Sequence, residues 1–318
     1  MANSDLRFRG DDGGMRSRFQ PITSMRIGLL SDLHCDLAPS RERSWINRYE
    51  PLELPRRLGD AIEILSVERP DLILLLGDTT ELGDRDAFDF VLSRVRKSNG
   101  PPIVAVAGNH DVGAVVAVVA GNVDGGAHND ALAMSARAHD VRLLAGDATR
   151  VAGVPLLGVG ITRAAPGWGD FRGALDAPPR DGPFDIVASH FPLISHEAEI
   201  TAAGLPYSGD LVNRAELESL LQQSRVPTVV FSGHVHSRCS AASGNVLQIT
   251  VASMIEPPFE CTVVDIDSAG DDFISVRRRA FTLGDPAAIN PVFAPADERW
   301  HWRGGWTALR PSPTTSPE

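Results

Sequence analysis

Short, wholly apolar runs recur along the chain, and each ends in a small polar cluster. "MRIGLL" (25–30) stops at Ser31-Asp32, "DLILLL" (71–76) at Gly77-Asp78, and "IVAV" (103–106) leads through Ala107 into Gly108-Asn109-His110-Asp111. Runs this short, without alternation, predict strands buried on both faces. Between them, Leu58, Ala61, Ile62 and Leu65 recur at helical spacing until Pro70, and Ala87, Phe88, Val91, Leu92 and Val95 until "NGPP" (99–102). Strand, helix and strand in this order predict a mostly parallel sheet with helices on its faces. The pattern continues with "FDIVAS" (184–189) running into His190 and "TVVF" (228–231) running into Ser232-Gly233-His234. Asn213 with Glu216 predicts a capping box that opens a helix to about residue 223. Beyond it, "NVLQITVAS", "ECTVVDID" and "DFISVRRRAFTL" lack helical periods. They are expected to be neighbouring antiparallel strands that complete a second sheet. The predicted fold class is α/β: a two-layer β-sandwich with helices outside.

Domain limits follow from the same pattern. Residues 1–24 are polar and rich in Gly, Arg and Asp, which predicts a disordered leader. Residues 25–284 form the expected domain. Residues 285–318 form a tail, and "ERWHWRGGWTALR" (298–310) holds three of the five tryptophans, so partial docking onto the domain is expected.

Composition narrows the setting more than the function. A net charge of −11 argues against loose electrostatic binding to nucleic acid or anionic lipid, while leaving a small phosphate substrate open. Three cysteines without a C-x-x-C suit a reducing compartment. The N-terminus lacks the apolar core of a secretory signal, and the longest apolar run, "AVVAVVA" (114–120), is far too short to span a bilayer. A cytoplasmic protein without membrane contact is expected, and nothing in the pattern specifies an oligomeric state.

The chemistry sits at the strand ends. They carry Asp32 and His34, Asp78, Asn109 with His110 and Asp111, His190, and finally His234 with His236. Singly, each has a structural explanation, since an Asp after a strand caps a helix and a buried His satisfies a core. Jointly they have no shared structural purpose. In open α/β sheets ligands gather at the carboxyl ends of strands. Carboxylates mixed with imidazoles suit Mn, Fe, Zn or Co better than Ca or Mg. In D-x-H and H-x-H, a loop backbone can turn the two residues toward different ions. A shared carboxylate is the simplest way to hold two cations about 3.5–4 Å apart.

The ordered blocks "DLH", "GD…E", "GNHD", "HFP" and "GHVH" resemble the calcineurin-like metallophosphoesterases, over residues 32–236. The resemblance implies a four-layer α/β/β/α fold and two divalent or trivalent transition-metal ions (Mn, Fe or Zn). It implies that Asp32, His34 and His236 hold one ion, that Asn109, His190 and His234 hold the other, and that Asp78 bridges them. His110 would then be the proton donor beside the scissile phosphate, Asp111 its support through the loop, and Glu81 the carboxylate that orients it. The expected reaction is hydrolysis of phosphoric esters by a metal-bridged hydroxide. A phosphodiesterase acting on a small or cyclic nucleotide-like substrate is preferred. The alternatives are a phosphomonoesterase or protein phosphatase, or a catalytically silent metal-bound scaffold.

Three further stretches complete the reading. "ITRAAPGWGDFRG" (161–173) could line a substrate pocket through Arg163 or Arg172. "RRR" (277–279) is read as alternation on an exposed strand rather than a nucleic-acid contact. His196, His128, His139 and His301 lack motif context and are read as ordinary.

Overall fold

Strands β1 (Thr23–Leu30), β2 (Leu72–Leu76) and β3 (Ile103–Val106) show why the continuous apolar runs were needed. Every residue of β2 is buried, and the period of two divides them between two cores. Leu72, Leu74 and Leu76 face the second sheet, whereas Ile73 and Leu75 face helices α1 (Leu54–Glu68) and α2 (Arg85–Val95). In this computed structural model the described residues are 23–39, 41–96, 100–113, 126–164, 170–176, 182–224, 226–269, 273–284 and 292–309. The expected leader, save residues 23 and 24, lies outside them, as do the "AVVAVVA" run and residues 165–169 of the 161–173 stretch.

After β3 come a short helix α3 (Asn109–Gly113), helix α4 (Gly126–Ala138) and strand β4 (Arg142–Leu143). Strands β5 (Ala148–Val151) and β6 (Val154–Gly158) then start the second sheet. A hairpin of β7 (Gly160–Arg163) and β8 (Phe171–Ala174) precedes β9 (Asp185–Ala188), α5 (Glu197–Ala202) and α6 (Arg214–Gln222). Strands β10 (Thr228–Ser232), β11 (Cys239–Ser243) and β12 (Val246–Thr250) follow. The chain then returns to the first sheet as β13 (Glu260–Ser268), β14 (Ile274–Thr282), β15 (Asp297–Trp302) and β16 (Trp306–Leu309).

The result is an eight-stranded sheet, β16-β15-β14-β13-β1-β2-β3-β4, against a six-stranded one, β11-β12-β10-β9-β6-β5. Ile27, Leu29, Leu74, Ile186 and Phe231 belong to the core between them. A second core lies under α1 and α2, and a third under α6. This is the expected four-layer α/β/β/α arrangement.

Three details correct the sequence reading. The late strands do not form one antiparallel set: β12 joins β10 in parallel, while β13 and β14 add antiparallel to β1 in the other sheet. β12 is buried along its whole length, which suits an interior parallel position rather than a half-exposed one. Asn213 precedes α6 but makes no side-chain cap; its amide instead bonds the Gly173 N–H (2.8 Å) and carbonyl (2.9 Å), tying β8 to the helix. The "RRR" stretch is only partly exposed. Arg277 pairs with Asp297 and Arg279 with Glu68, but strand alternation sends Arg278 inward, fully buried. Its terminal NH groups are met there by Glu298 (2.8 Å) and the carbonyls of Cys239 and Pro295. His196 is buried too, an ordinary core histidine bonded to Thr250 and Gln248.

In β15, Trp302 packs into the inter-sheet core, and in β16 the Trp306 indole donates to the Asn245 carbonyl (2.8 Å). Cys35, Cys239 and Cys261 are buried free thiols. No described helix is long and apolar enough to cross a membrane.

Candidate metal centre

The carboxyl ends of β1, β2 and β3 in one sheet meet those of β9 and β10 in the other, and the polar clusters of the sequence follow those ends. Asp32, His34, Asp78, His234 and His236 all adopt left-handed backbone conformations, with φ between 45° and 69°. Such residues carry strain that the surroundings must hold. Here the buried Leu33 and Val235, each lying between two of them, supply the anchor. The loops also bind one another: Asp32 N–H donates to Gly77 O (3.2 Å), His34 N–H to Asp78 O (2.8 Å) and Gly233 N–H to His190 O (2.9 Å).

Two buried groups of candidate metal-ligating side chains result. Ligand atoms of Asp32, His34 and His236 lie within 4.8 Å of one another, as do those of Asp78, His190 and His234. One Asp78 oxygen is 3.6 Å from His34 Nε2 and 3.2 Å from His190 Nε2, so the carboxylate lies between the groups. Its other oxygen accepts the His110 N–H (2.8 Å). Asn109 joins the second group, its Oδ1 3.0 Å from His190 Nε2.

The imidazoles are oriented from behind. His34 Nδ1 faces Glu81 (2.6 Å), His236 Nδ1 faces Glu256 (2.5 Å) and His190 Nδ1 faces the Leu76 carbonyl (2.8 Å). Acceptors at Nδ1 place the proton there and leave lone pairs on Nε2. The Nε2 atoms of His34 and His236 stand only 3.2 Å apart. Two lone pairs so close repel unless a positive charge, a proton or a metal ion in its place, sits between them, so the donor set fits a cation. His234 is turned the other way, its Nδ1 3.2 Å from His190 Nε2.

The electrostatics agree. Burial works against a charged His236, but Asp32 and the hydrogen bonds to Asp32 and Glu256 outweigh it and raise the group to about 10. Burial likewise opposes a charged His190, yet Asp78 and Asp32 raise it to about 9. The same carboxylate field favours a bound cation. His234 is pushed down to about 3 by burial and by His190, and His34 well below its usual range by burial and His110. Both imidazoles are therefore neutral donors.

His110 stands beside these groups, partly exposed, its ring edge-on to His34 at 4.6 Å. Its Nδ1 lies 3.2 Å from the Glu81 carbonyl and 3.4 Å from the Glu81 carboxylate, so Nε2 is turned away from Glu81. Glu81 thus serves His34 as well as His110, and it is further paired with Arg43. Asp111 is buried and braces the loop ends, accepting N–H groups from Gly108 (2.9 Å), Thr80 (2.9 Å) and Thr79 (3.3 Å). Burial and the nearby Asp78 push its carboxyl up to about 6.

Of the two candidate substrate arginines, Arg163 lies in β7, which touches helix α3. Arg172 pairs with exposed Glu216 of α6 (3.4 Å), and Arg163 stands opposite Phe171 in the β7–β8 hairpin. Conversely, Glu256, Tyr49 and Arg43 were missed. Glu256 follows His236 by twenty residues in the non-periodic stretch "IEPPFE", which carries no signal. A further trio of His196, Glu199 and Cys239 has metal-type donors within 4.8 Å. The Gln248 amide is fixed by the Leu193 and Ile194 N–H groups and donates to His196 Nε2 (3.0 Å). The His196 proton therefore sits on Nδ1, which faces Glu199, and no lone pair is offered there.

The calcineurin-like phosphoesterase profile matches residues 25–238. Among solved structures, a dimetal phosphatase from Danio rerio is similar at 15% identity and a TM-score of 0.48, covering 82% of this chain and 99% of that one. An archaeal phosphodiesterase is similar at 16% identity and a TM-score of 0.40, covering 81% and 100%. A purple acid phosphatase from yellow lupin (Lupinus luteus) seeds is similar at 13% and 0.49, covering 86% of this chain and 57% of that chain. No curated protein matches the chain. The chain belongs to the calcineurin-like phosphoesterase family, hydrolases of phosphoric esters that work through a binuclear metal centre.

Proposed function

We propose that the chain is a cytoplasmic phosphodiesterase acting on a small or cyclic nucleotide-like substrate. In this reading Asp32, His34 and His236 hold one ion, Asn109, His190 and His234 hold the other, and Asp78 serves both. The observation that carries it is the placement of one Asp78 oxygen within 3.6 Å of an imidazole from each group. A pair of cations, when bound, supplies Lewis-acid charge to a phosphoryl group and to its attacking water.

The chain's own residues do the remaining work. His110 gives a proton from Nε2 to the leaving oxygen, and Glu81 accepts from Nδ1 and fixes the ring. Glu81 and Glu256 hold His34 and His236 in the tautomer that presents Nε2. Asp111 keeps the loop of His110 against the loop of Asp78. Room for a second ester group supports the diester reading, since a cleft of about 480 Å³ adjoins His34 and Glu81. Three buried free thiols support the cytoplasmic setting.

The test is turnover of Mn²⁺-loaded protein on bis(p-nitrophenyl) phosphate and p-nitrophenyl phosphate. A higher kcat/KM on the diester is expected. Preference for the monoester overturns the diester reading, and no turnover of either with both ions bound favours a silent scaffold.

A further inference from the structure

Between β1 and α1 the chain folds into a wall, closed by a bridge between Ser44 and Arg48 and by the Tyr49 N–H donating to Arg43 O (2.9 Å). This wall bounds the 480 Å³ cleft, whose lining includes Arg43, Arg48, Tyr49 and Leu52 together with His34 and Glu81. The cleft therefore opens directly onto the metal-binding side chains. Its size suits a nucleoside-sized group rather than a protein segment.

Two of the three arginines lining the cleft are already ion-paired, Arg41 being the third. Arg43 is paired with Glu81 and Asp36, and Arg48 with Glu42 (2.7 Å). A guanidinium held this way offers a flat face more than a net charge. Tyr49 packs against His34 and His236, ring centroids 5.1 and 5.8 Å away, which holds its ring at the border between cleft and centre. Leu52, 81% exposed, adds an apolar edge at the mouth. An aromatic ring, flat guanidinium faces and an apolar edge recognise a planar π-system.

We propose that this cleft binds the organic ester group of the substrate, a planar aromatic group of nucleobase type, with Tyr49 and Arg43 as its specificity-determining contacts. The inference rests on phosphoester hydrolysis at the adjoining centre, and not on the number of ester bonds cleaved. A second phosphate or carboxylate is the other chemistry that arginines select, and the existing ion pairs disfavour it.

Calorimetric binding to the full-length, Mn²⁺-loaded protein tests this, with adenosine 5′-monophosphate, ribose 5-phosphate and 2-phosphoglycolate as probes. Adenosine 5′-monophosphate is expected to bind about tenfold tighter than the other two, as base stacking on an aromatic ring provides. Tyr49→Leu should bring it down to the ribose 5-phosphate affinity. Leu52→Asp, on an exposed side chain, should weaken it about threefold without changing ribose 5-phosphate binding, through charge placed beside the stacked base. Equal affinities for adenosine 5′-monophosphate and ribose 5-phosphate, or wild-type nucleotide binding in both variants, would overturn the proposal. Tightest binding of 2-phosphoglycolate would overturn it in favour of an anion pocket. Selective nucleotide binding without turnover of any ester would instead count against the hydrolytic reading and leave this one standing.

Discussion

At the scale of single residues, the question is which nitrogen of each imidazole faces inward. His34, His190 and His236 commit Nδ1 to an acceptor and turn Nε2 toward carboxylates and other imidazoles, whereas His110 commits Nδ1 to Glu81 and turns Nε2 away. That difference separates His34, His190 and His236 from the assigned acid, while His234, turned the other way, offers Nδ1. His110→Ala is therefore expected to slow turnover on the order of 100-fold or more while leaving metal content unchanged. Steady-state kinetics beside elemental analysis check this, and loss of the ions would make His110 a ligand. The identities of these residues were legible in "GNHD" and "GHVH", because ligand types are chemical and appear in the letters. Their supporting carboxylates were only half legible. Glu81 lies within a motif block, but Glu256 reaches His236 solely through the path of the loop between β12 and β13.

At the scale of elements, the strand ends matter more than the strands. The alternation-free runs and helical spacings located β1, β2, β3, α1 and α2, because burial on both faces leaves a direct trace in composition. Strand partners leave no such trace, which is why β12 and β13 read alike in sequence yet join different sheets. The Asn213 cap failed for a related reason: a short polar side chain bonds whichever backbone is near, and β8 was nearer. Gly108 is needed for space rather than for a left-handed backbone. A Cβ there would collide with the Asp78 carboxylate and backbone, so glycine is required for close approach of two loops. Gly108→Ala is expected to cost about 1–3 kcal/mol, read as a Tm lowered by several degrees. An unchanged Tm in a thermal melt would show that the loops have slack.

At the scale of the whole molecule, two sheets pack so that candidate ligands far apart in the chain share one rim. Overall stability should also sense pH away from this rim, through His196. Burial lowers its pKa from 6.5 to about 4, so the unfolded chain binds the extra proton between those values. Stability is then fully present above about pH 6.5 and is lost as pH falls, by roughly 2 kcal/mol at pH 5. Urea unfolding at pH 7 and pH 5 should show this loss in wild type and a smaller one in His196→Gln. Equal losses would mean that the buried imidazole is not the group that takes up the proton.

The central claim is that one carboxylate, Asp78, serves two ions at once. Elemental analysis of metal per chain, for wild type beside Asp78→Ala after dialysis, tests it most directly. Two ions in the wild type and none tightly held in the variant are predicted, because the position between both groups is lost. Two ions retained in Asp78→Ala would contradict the account.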